Sequence, residues 1–537
     1  MAIVIPIRNQ NSSGALSLPQ EIWDIICALL LKPSLSRLRL VSSGFDRIAL
    51  PWVYRNLRLE GFGNSAERFI QIAKSPKLRD LVRELTVDTS VGLEFSYKSN
   101  WAYPFPASFM DALPYLRCFG YLAALHLRFN EYCGEDDRRG VSMEETWEFR
   151  YGVLDTVCHC VAGMWTANKQ VEIDKKGEHP WQEYTRKRAD PEDDLGVPFD
   201  QVIQLKELTV TNLADFYDTD LVASGALKKV MSLPSLTELK LLIATEIDES
   251  MHESFVFYEE KYAFFNHLPE TWLAPSISDN LRVLSLYYNE YWGWLPKMDF
   301  RGMTFPRLKV LALGQYVFSH DWQIDWIASI GQENGSGGLE ELYLDNCPIM
   351  FQAVQSSPLD EKDPGYPLLS VILDEATEDL FKYPMRWHHV LPRWATALKA
   401  LRVFRMGRGS WHSAPEDTLK SVLQEFRDVD EDVIRYRLSQ NSHRSFACPG
   451  PLVSDCDGVK DPFKVWESGK YVNGTGINGS GAYKLQYIEY ENVSTSPWME
   501  KFWDHVDDDQ GYEPEEGTWV KDLAAFEAFC SAVEARR

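Results

Sequence analysis

The stretch LRVLSLYYN at residues 281–289 contains a six-residue phrase: apolar, two variable, apolar, one variable, apolar. The phrase recurs along the chain, with first residues at Val82, Leu122, Leu205, Leu236, Leu281, Leu308, Leu339, Leu368 and Leu398. From residue 281 onward, the starts are separated by 27, 31, 29 and 30 residues. Apolar residues on one side of an alternating pattern predict a short strand with one buried face. Because a single copy cannot bury that face alone, the near-regular spacing predicts stacked strands around a shared core, a solenoid.

Two copies extend the phrase beyond the strand. Residues 339–349, LEELYLDNCPI, fit L-x-x-L-x-L-x-x-N/C-x-L with Cys347 at the N/C position, and residues 281–289 fit as far as Asn289. These stretches resemble leucine-rich repeats. The resemblance implies that Asn289 and Cys347 hydrogen-bond the turning backbone, and the lack of this residue in other copies predicts an irregular solenoid.

Residues 16–60, LSLPQEIWDIICALLLKPSLSRLRLVSSGFDRIALPWVYRNLRLE, are expected to form three short helices. Apolar residues recur at helical spacing, Pro33 should end the first helix, and Pro51 should end the third. Ser42 or Ser43 can begin the third helix. A unit of this size has little interior, so much apolar surface should remain available to a partner. The alternative is a helical cap on the body that follows.

The same residues closely resemble the F-box, and the stretch from Ala49 to Leu59 looks like its continuation in fungal F-box proteins. Phe45 stands where many F-boxes have tryptophan, and both side chains fill a similar apolar role. The resemblance implies docking on a Skp-type adaptor and, through it, on cullin. Carried over by position, the residues that contact the adaptor or support that surface are Leu18, Pro19, Ile22, Ile26, Leu30, Leu38 and Val41.

The predicted fold class is therefore α/β, with a short N-terminal three-helix F-box, an irregular leucine-rich-repeat solenoid and a C-terminal cap. The expected divisions are a flexible tail at 1–15, the F-box at 16–60, first repeats at 61–130, an insertion with helices and a charged flexible stretch at 131–200, the main solenoid at 201–415, and a capping region with an acidic segment at 416–537. A final helix at residues 521–536 should be amphipathic through Leu523, Phe526, Phe529 and Val533.

Composition narrows the classes of function. The 537-residue chain has a net charge of −24, which disfavours binding to nucleic acid or to an anionic membrane surface. Nine cysteines without regular spacing favour a reduced, intracellular protein. The sequence has no run of apolar residues long enough for a membrane helix, and its first ten residues are wrongly flanked for a signal peptide. The expected location is the cytoplasm, the nucleus or both.

Motifs that could indicate chemistry are weak. Gly474-x-Gly476-x-x-Gly479 spells a dinucleotide fingerprint, but a polar stretch precedes it and a strand is expected to follow, which favours a loop. Cys158-His159-Cys160 lacks a second pair at zinc-site spacing, so a buried cysteine pair is favoured. We expect no cofactor and no metal.

A histidine pair and an acidic segment each have a structural and a functional interpretation. His388-His389 is expected to be structural, with a role in a binding surface as the alternative. The acidic residues between 507 and 516 do not follow a calcium-binding loop and favour a solvated segment.

Substrate binding is predicted on the strand face that points away from the core. The outward residues predicted by alternation are Thr209, Lys240, Ser285, Tyr287, Tyr343, Asp345, Arg402 and Phe404. Five aromatic residues between 287 and 294 either form a recognition loop or pack between repeats, and the sequence leaves both open. The candidate substrate-binding residues are Tyr287, Tyr291, Trp292, Tyr343 and Arg402, because aromatic residues and arginine are enriched among binding hot spots.

The leading hypothesis is the substrate-recognition subunit of an SCF-type ubiquitin ligase (Skp adaptor, cullin and F-box protein), with no catalytic chemistry of its own. Its partners would be the adaptor, cullin through the adaptor, and an unknown protein substrate. One alternative is a non-degradative scaffold with the same interactions. The other is an enzyme with a pocket within residues 416–537.

Overall fold

The recurring phrase forms the strands of one parallel sheet in the computed structural model. The structure describes residues 18–30, 32–61, 64–89, 107–129, 147–176, 200–245, 259–332, 338–355, 359–367, 379–408, 484–491, 498–499 and 513–537. Within these residues the sheet has nine strands that follow one another in chain order, all parallel. Its strands are β1 (Asn56–Glu60), β2 (Glu84–Asp88), β3 (Ala124–Arg128), β4 (Glu207–Ala214), β5 (Glu238–Ala244), β6 (Val283–Trp292), β7 (Val310–Tyr316), β8 (Glu341–Asp345) and β11 (Val403–Gly407).

Two apolar residues of each strand form two continuous buried rows across the sheet, and in the seven strands from β2 to β8 they are the second and third apolar residues of a predicted phrase. The first row consists of Leu57, Leu85, Leu125, Leu208, Leu239, Leu284, Leu311, Leu342 and Phe404. The second consists of Leu59, Val87, Leu127, Val210, Leu241, Leu286, Leu313, Leu344 and Met406. Because successive side chains of a strand alternate in direction, both rows face the same core.

Helices occupy many of the connections between strands. They are α1 (Gln20–Ala28), α2 (Lys32–Arg39), α3 (Ser43–Arg55), α4 (Ser65–Lys74), α5 (Pro76–Arg79), α6 (Ala107–Ala112), a 3₁₀ helix (Leu113–Cys118), α7 (Trp147–Val161), α8 (Ala167–Lys176), α9 (Thr219–Ala223), α10 (Gly225–Val230), α11 (Glu259–His267), α12 (Pro275–Ser278), α13 (Asp321–Ser329), α14 (Trp387–Ala397) and α15 (Thr518–Glu534). Buried apolar residues of most helices after α3 pack on the core side of the sheet, in a cluster that includes Phe69, Leu116, Leu227, Ile327 and Trp394, whereas those of α1, α2 and α3 form a separate small core.

A second, mixed sheet joins distant parts of the chain. Its strands are β9 (Ile349–Gln355), β10 (Asp379–Lys382), β12 (Tyr487–Glu491) and β13 (Trp498–Met499), in the order β10-β9-β12-β13. Strand β12 pairs in parallel with β9, whereas β10 pairs with β9, and β13 with β12, in antiparallel fashion. The strand expected to follow Gly479 corresponds to β12 and is therefore part of this second sheet.

The predicted architecture is wrong. The structure has an α/β fold with a nine-stranded parallel sheet, not an N-terminal three-helix F-box followed by a leucine-rich-repeat solenoid with a cap. The phrase specifies which strand residues face the core, but it does not specify the connections, which differ widely in length. Helix α3 ends at Arg55 and β1 begins at Asn56, so the N-terminal helices continue directly into the edge of the sheet. The sheet also crosses the divisions expected at residues 61, 131 and 201.

Two phrases differ from their predicted positions. The copy beginning at Leu398 is displaced by three residues, because Phe404 pairs with Leu342 and Met406 with Leu344. The buried phrase is therefore Leu401-x-x-Phe404-x-Met406, and Phe404, predicted to point outward, is buried. The copy beginning at residue 368 lies outside the described residues.

Prolines act differently from their predicted roles in the N-terminal helices. The first helix ends at Ala28, and the helix beginning at Lys32 contains residue 33. Pro51 lies inside α3, which continues to Arg55. The prediction that Ser42 begins this helix agrees with the structure, since its hydroxyl accepts a hydrogen bond from the backbone N–H of Phe45 at 3.3 Å.

The carboxylate of Asp522 connects helix α15 to the rest of the fold through hydrogen bonds. Asp522 is buried and accepts hydrogen bonds from the backbone N–H of His388, the imidazole of His388 and the hydroxyl of Tyr487. Phe529 packs on Phe404 with ring centroids 4.8 Å apart, but Leu523, predicted to face the core, is 53% exposed. The packed face of α15 thus differs from the predicted apolar face at its first turns.

Candidate docking surface on the N-terminal helices

Helix α1 has apolar residues on two opposite sides. At 100° per residue, Ile22, Ile25 and Leu29 fall within about 60° of one another. Trp23 and Cys27 lie on the other side and are buried. A helix on the surface of a monomer usually has one apolar face, so the second one needs a separate explanation.

The inner side of α1 packs against other helices of the same chain. Trp23 packs edge-to-face on Phe45 with centroids 5.3 Å apart, and Cys27 lies in a small core with Leu35, Ala49 and Val53. These contacts fix the orientation of α1 against α3, so the opposite side must point away from the small core.

The outer side is exposed. The exposed fractions are 41% for Ile22, 59% for Ile25 and 81% for Leu29, and Leu18 just before the helix is 42% exposed. We call Leu18, Ile22, Ile25 and Leu29 the α1 stripe. Fully burying an aliphatic side chain of this size contributes about 1.5–3 kcal/mol. A partner that covers the stripe would therefore gain substantial binding free energy.

The turn between α2 and α3 adds apolar surface. Leu40 is 86% exposed and Val41 is 66% exposed. Exposed basic residues, Arg37 and Arg47, lie in the adjoining helices. An ion pair between Arg39 and Asp46 at 2.8 Å ties α2 to α3 and holds this turn in place.

The seven predicted adaptor residues fall into two groups. The exposed group consists of Leu18, Pro19, Ile22 and Val41. The half-buried group consists of Ile26, Leu30 and Leu38, of which the last two pack against the small core. Sequence reasoning placed Ile25 and Leu29 on a helix but did not include them in the adaptor set. Their 3.6-residue alignment with Ile22 was the signal that could have found them.

The predicted substrate-binding residues are mostly interior. Trp292 is fully buried and donates its indole N–H to the carbonyl of Gly314 at 2.7 Å. Tyr287 and Tyr291 are also buried, which corresponds to the packing alternative for this aromatic cluster. Tyr343 is half-buried, and Arg402 is exposed just before β11. The structure does not bring these five residues together on one open surface.

The outward face of the sheet is polar, yet its centre is buried. Thr209, Lys240, Ser285 and Asp345 were predicted to face outward, and each is at most 2% exposed. In the neighbouring strand, His126 pairs in register with Thr209. This part of the face is therefore not an open substrate surface in the structure.

His126 is the most unusual residue on that face. Its ring is buried, and neither ring nitrogen has a hydrogen-bond partner among the described residues. Burial lowers the pKa of His126 to about 4, with nearby Glu207 acting in the opposite direction and Lys240 adding to the decrease. The imidazole is therefore neutral at pH 7. Sequence reasoning missed this residue, which occupies a variable position of an ordinary phrase.

The other sequence motifs do not come together in one ligand-binding or metal-binding site within the described residues. Residues 474–479 lie outside the described residues, and so do the acidic residues 507–509. Cys158 and Cys160 are buried, and burial raises the pKa of both thiols. His388 binds Asp522 in the interior contact of α15, which is a structural role. Across the described ranges, no group of three or more His, Cys, Asp or Glu residues is placed to hold a metal ion.

Comparison with known proteins gives no family. No family model matches the chain, and no curated protein matches it significantly. Among the described helices, none combines the length and the apolar character that crossing a bilayer requires.

Proposed function

We propose that this protein is the substrate-recognition subunit of an SCF-type ubiquitin ligase, which docks through its N-terminal helices on a Skp-type adaptor. The observation that carries the proposal is the α1 stripe, whose apolar side chains are exposed while the opposite side of the helix is packed. The fold differs from the architecture expected from the F-box resemblance. The proposal therefore rests on this surface and on the residue pattern at 18–45, not on the fold.

The proposed mechanism is proximity. The receptor holds a substrate protein close to a charged conjugating enzyme and thereby raises the effective concentration of the substrate lysines. The chain itself contributes no catalytic group to ubiquitin transfer in this scheme. The proposed location is the cytoplasm or the nucleus, where the adaptor and cullin would be met.

Affinity purification followed by mass spectrometry tests the proposal. The wild-type chain should recover the adaptor and cullin, whereas a chain without residues 16–55, which keeps β1 of the sheet, and a Pro19→Ala, Ile22→Asp variant should recover neither. Val520→Asp is a matched control, because Val520 is a 75% exposed aliphatic residue on the distant helix α15. Equal recovery of the adaptor by all variants would contradict docking through the N-terminal helices.

A non-degradative scaffold is the alternative within the same class. It predicts that the adaptor is recovered but that deletion of residues 16–55 leaves the lifetimes of associated proteins unchanged. The ligase receptor predicts longer lifetimes for the substrates after the deletion. The remaining alternative, an enzyme with a pocket within residues 416–537, stays a prediction, because most of that segment lies outside the described residues.

A further inference from the structure

A cavity of about 530 Å³ lies between α7, α8, α9 and α10, far along the chain from the N-terminal helices. Asp155 and His159 of α7 line it, as do Glu172 of α8 and Asp220 of α9. Its volume falls within the range of about 300–1,000 Å³ that small-ligand sites occupy. Neither the docking surface nor the sheet face accounts for it.

His159 presents an unused hydrogen-bond acceptor in this cavity. The residue is 4% exposed, and its Nδ1 lies 2.7 Å from the carbonyl oxygen of Asp155 and 3.2 Å from a carboxylate oxygen of the same residue. Because both neighbours are acceptors, Nδ1 carries a proton, and in the neutral imidazole Nε2 then presents its lone pair. No described residue hydrogen-bonds Nε2. His159 lines the cavity, so a ligand bound there can reach Nε2 and donate a hydrogen bond to it.

The carboxylate of Asp155 is held rigidly behind the imidazole. The hydroxyl of Ser224 donates to one oxygen at 2.6 Å, and the hydroxyl of Tyr151 donates to the other at 3.0 Å. Burial alone would raise the pKa of Asp155, but the hydrogen bonds from His159 and Ser224 outweigh it and lower the pKa. Asp155 is therefore ionised at neutral pH.

The electrostatic field in the cavity is negative. The lining contains three carboxylates, from Asp155, Glu172 and Asp220, and two lysine ammonium groups. Glu172 pairs with Lys169 and Asp220 pairs with Lys176, and these four substantially exposed side chains form the rim of the cavity. The carboxylate of Asp155 is therefore the excess negative charge, and it is buried. Burial, followed by the charges of nearby carboxylates that include Asp155 and Asp220, raises the pKa of Tyr151. A cationic donor suits this field better than an anion does.

We propose that this cavity binds an alkylammonium group, which donates to Nε2 of His159 in front of the Asp155 carboxylate. Met164 and Ala223 in the lining offer apolar contact for the alkyl stem. An ammonium fits better than a guanidinium, whose flat fork requires paired acceptors where His159 offers one. Two sources share this chemistry: a lysine side chain of a bound protein, and a small free amine. The inference is independent of adaptor docking.

Ligand titration of the full chain, followed by saturation-transfer NMR, tests the site. The probes are Nα-acetyl-L-lysine methylamide and n-butylammonium, with Nα-acetyl-L-norleucine methylamide as the uncharged match to the first. We expect both ammonium probes to bind with dissociation constants on the order of millimolar, a range typical of so few contact atoms. Tighter binding of the lysine derivative indicates a protein lysine as the source, and tighter binding of butylammonium indicates a small amine.

Variants assign the binding to the proposed groups. His159→Leu should weaken binding roughly tenfold or more, because it removes the acceptor. Glu172→Gln with Asp220→Asn changes only rim residues, so it should preserve folding and weaken binding by about threefold. Asp325→Asn is the matched control, since Asp325 is an exposed carboxylate paired with Arg393 on another helix. It should leave the affinity unchanged.

Three results would overturn the proposal. One is equal binding of the norleucine and lysine derivatives, which would indicate an apolar pocket. Another is binding of inorganic phosphate or acetate in place of the ammonium probes, an outcome made reasonable by the N-terminus of α8 near Thr166. The third is no binding of either ammonium probe at 20-fold above the expected constant, or affinities that none of the variants change.

Discussion

Individual buried polar residues set much of the chemistry of this protein. His126 lies on the outward face of the sheet and has no hydrogen-bond partner within the part of the chain that the structure describes, whereas Asp522, inside the C-terminal contact, accepts three hydrogen bonds. A buried group without a partner destabilises the fold, whereas a buried carboxylate with several donors fixes the geometry around it. The two residues therefore respond differently to pH and to substitution.

The titration of His126 predicts a specific loss of stability in mild acid. Its pKa in the folded protein is about 4, below the ordinary value of 6.5, so the unfolded chain binds the proton first. The free energy of unfolding therefore keeps its full value, as far as His126 contributes to it, above about pH 6.5. It falls as the pH decreases from 6.5 toward 4. Between pH 7 and pH 5 the loss should be about 2 kcal/mol. Urea unfolding of wild type and His126→Phe at both pH values measures it, and an equal pH dependence in the two proteins would contradict the assignment.

A close contact at Gly314 predicts intolerance of any side chain. A methyl group on this residue would lie 1.8 Å from Cδ2 of Tyr287, whose ring covers the neighbouring strand. Gly314→Ala should therefore lower the free energy of unfolding by about 1–3 kcal/mol. The double variant with Tyr287→Ala should recover part of the loss in a double-mutant cycle. Additive effects of the two substitutions would show that the two residues do not interact in this way.

At the scale of elements, the last helix connects both sheets. Asp522 of α15 lies at the N-terminus of α14, where a negative charge is favourable, and it also binds Tyr487 of β12. At the other end of α14, Arg536 donates to the carbonyl oxygens of Ala395 and Leu398. Opposite charges thus meet the opposite ends of α14, which explains why α15 turns Asp522 inward and leaves Leu523 exposed.

Removal of the buried carboxylate should detach α15. Asp522→Ala leaves the hydroxyl of Tyr487 and the N–H of His388 without their acceptor, at an expected cost of about 3 kcal/mol. Limited proteolysis should then cleave near the beginning of α15 faster than in wild type. Glu527→Ala, an exposed substitution on the same helix, is the control. Equal cleavage rates for Asp522→Ala and Glu527→Ala would argue against this role.

The elements show what the sequence can predict. Alternation places Leu284 and Leu286 in the core because one face of each strand must be buried. It misplaces the copy at Leu398, because a leucine-rich stretch satisfies the phrase in more than one frame. The rule that proline ends a helix also fails for Pro51, which lies inside α3 beside the buried residues Ala49 and Val53. Such tertiary contacts override the local preference for a helix end.

At the scale of the whole molecule, the sequence predicted the strands better than their assembly. The sheet extends from β1 to β11 because each connection brings the chain back to the end of the sheet where the previous strand began. No local sequence pattern encodes that return. The second sheet pairs residues 349–355 with residues 487–491, a pairing at a distance that single-strand patterns do not specify. The F-box resemblance pointed to Leu18 and Ile22 of the exposed α1 stripe but not to Ile25 and Leu29, whereas the cavity at His159 required four helices to be placed together.

We propose that the α1 stripe is a docking surface for a foreign subunit. Isothermal titration calorimetry of the purified chain with a purified Skp-type adaptor tests it, comparing wild type, Ile22→Asp with Ile25→Asp, and Val520→Asp. We predict that the stripe variant loses about 2 kcal/mol or more, roughly a thirtyfold weaker affinity, while its thermal unfolding matches wild type and Val520→Asp binds normally. Equal affinity of the stripe variant and wild type, or no binding of the adaptor by the folded wild-type chain, would contradict the claim.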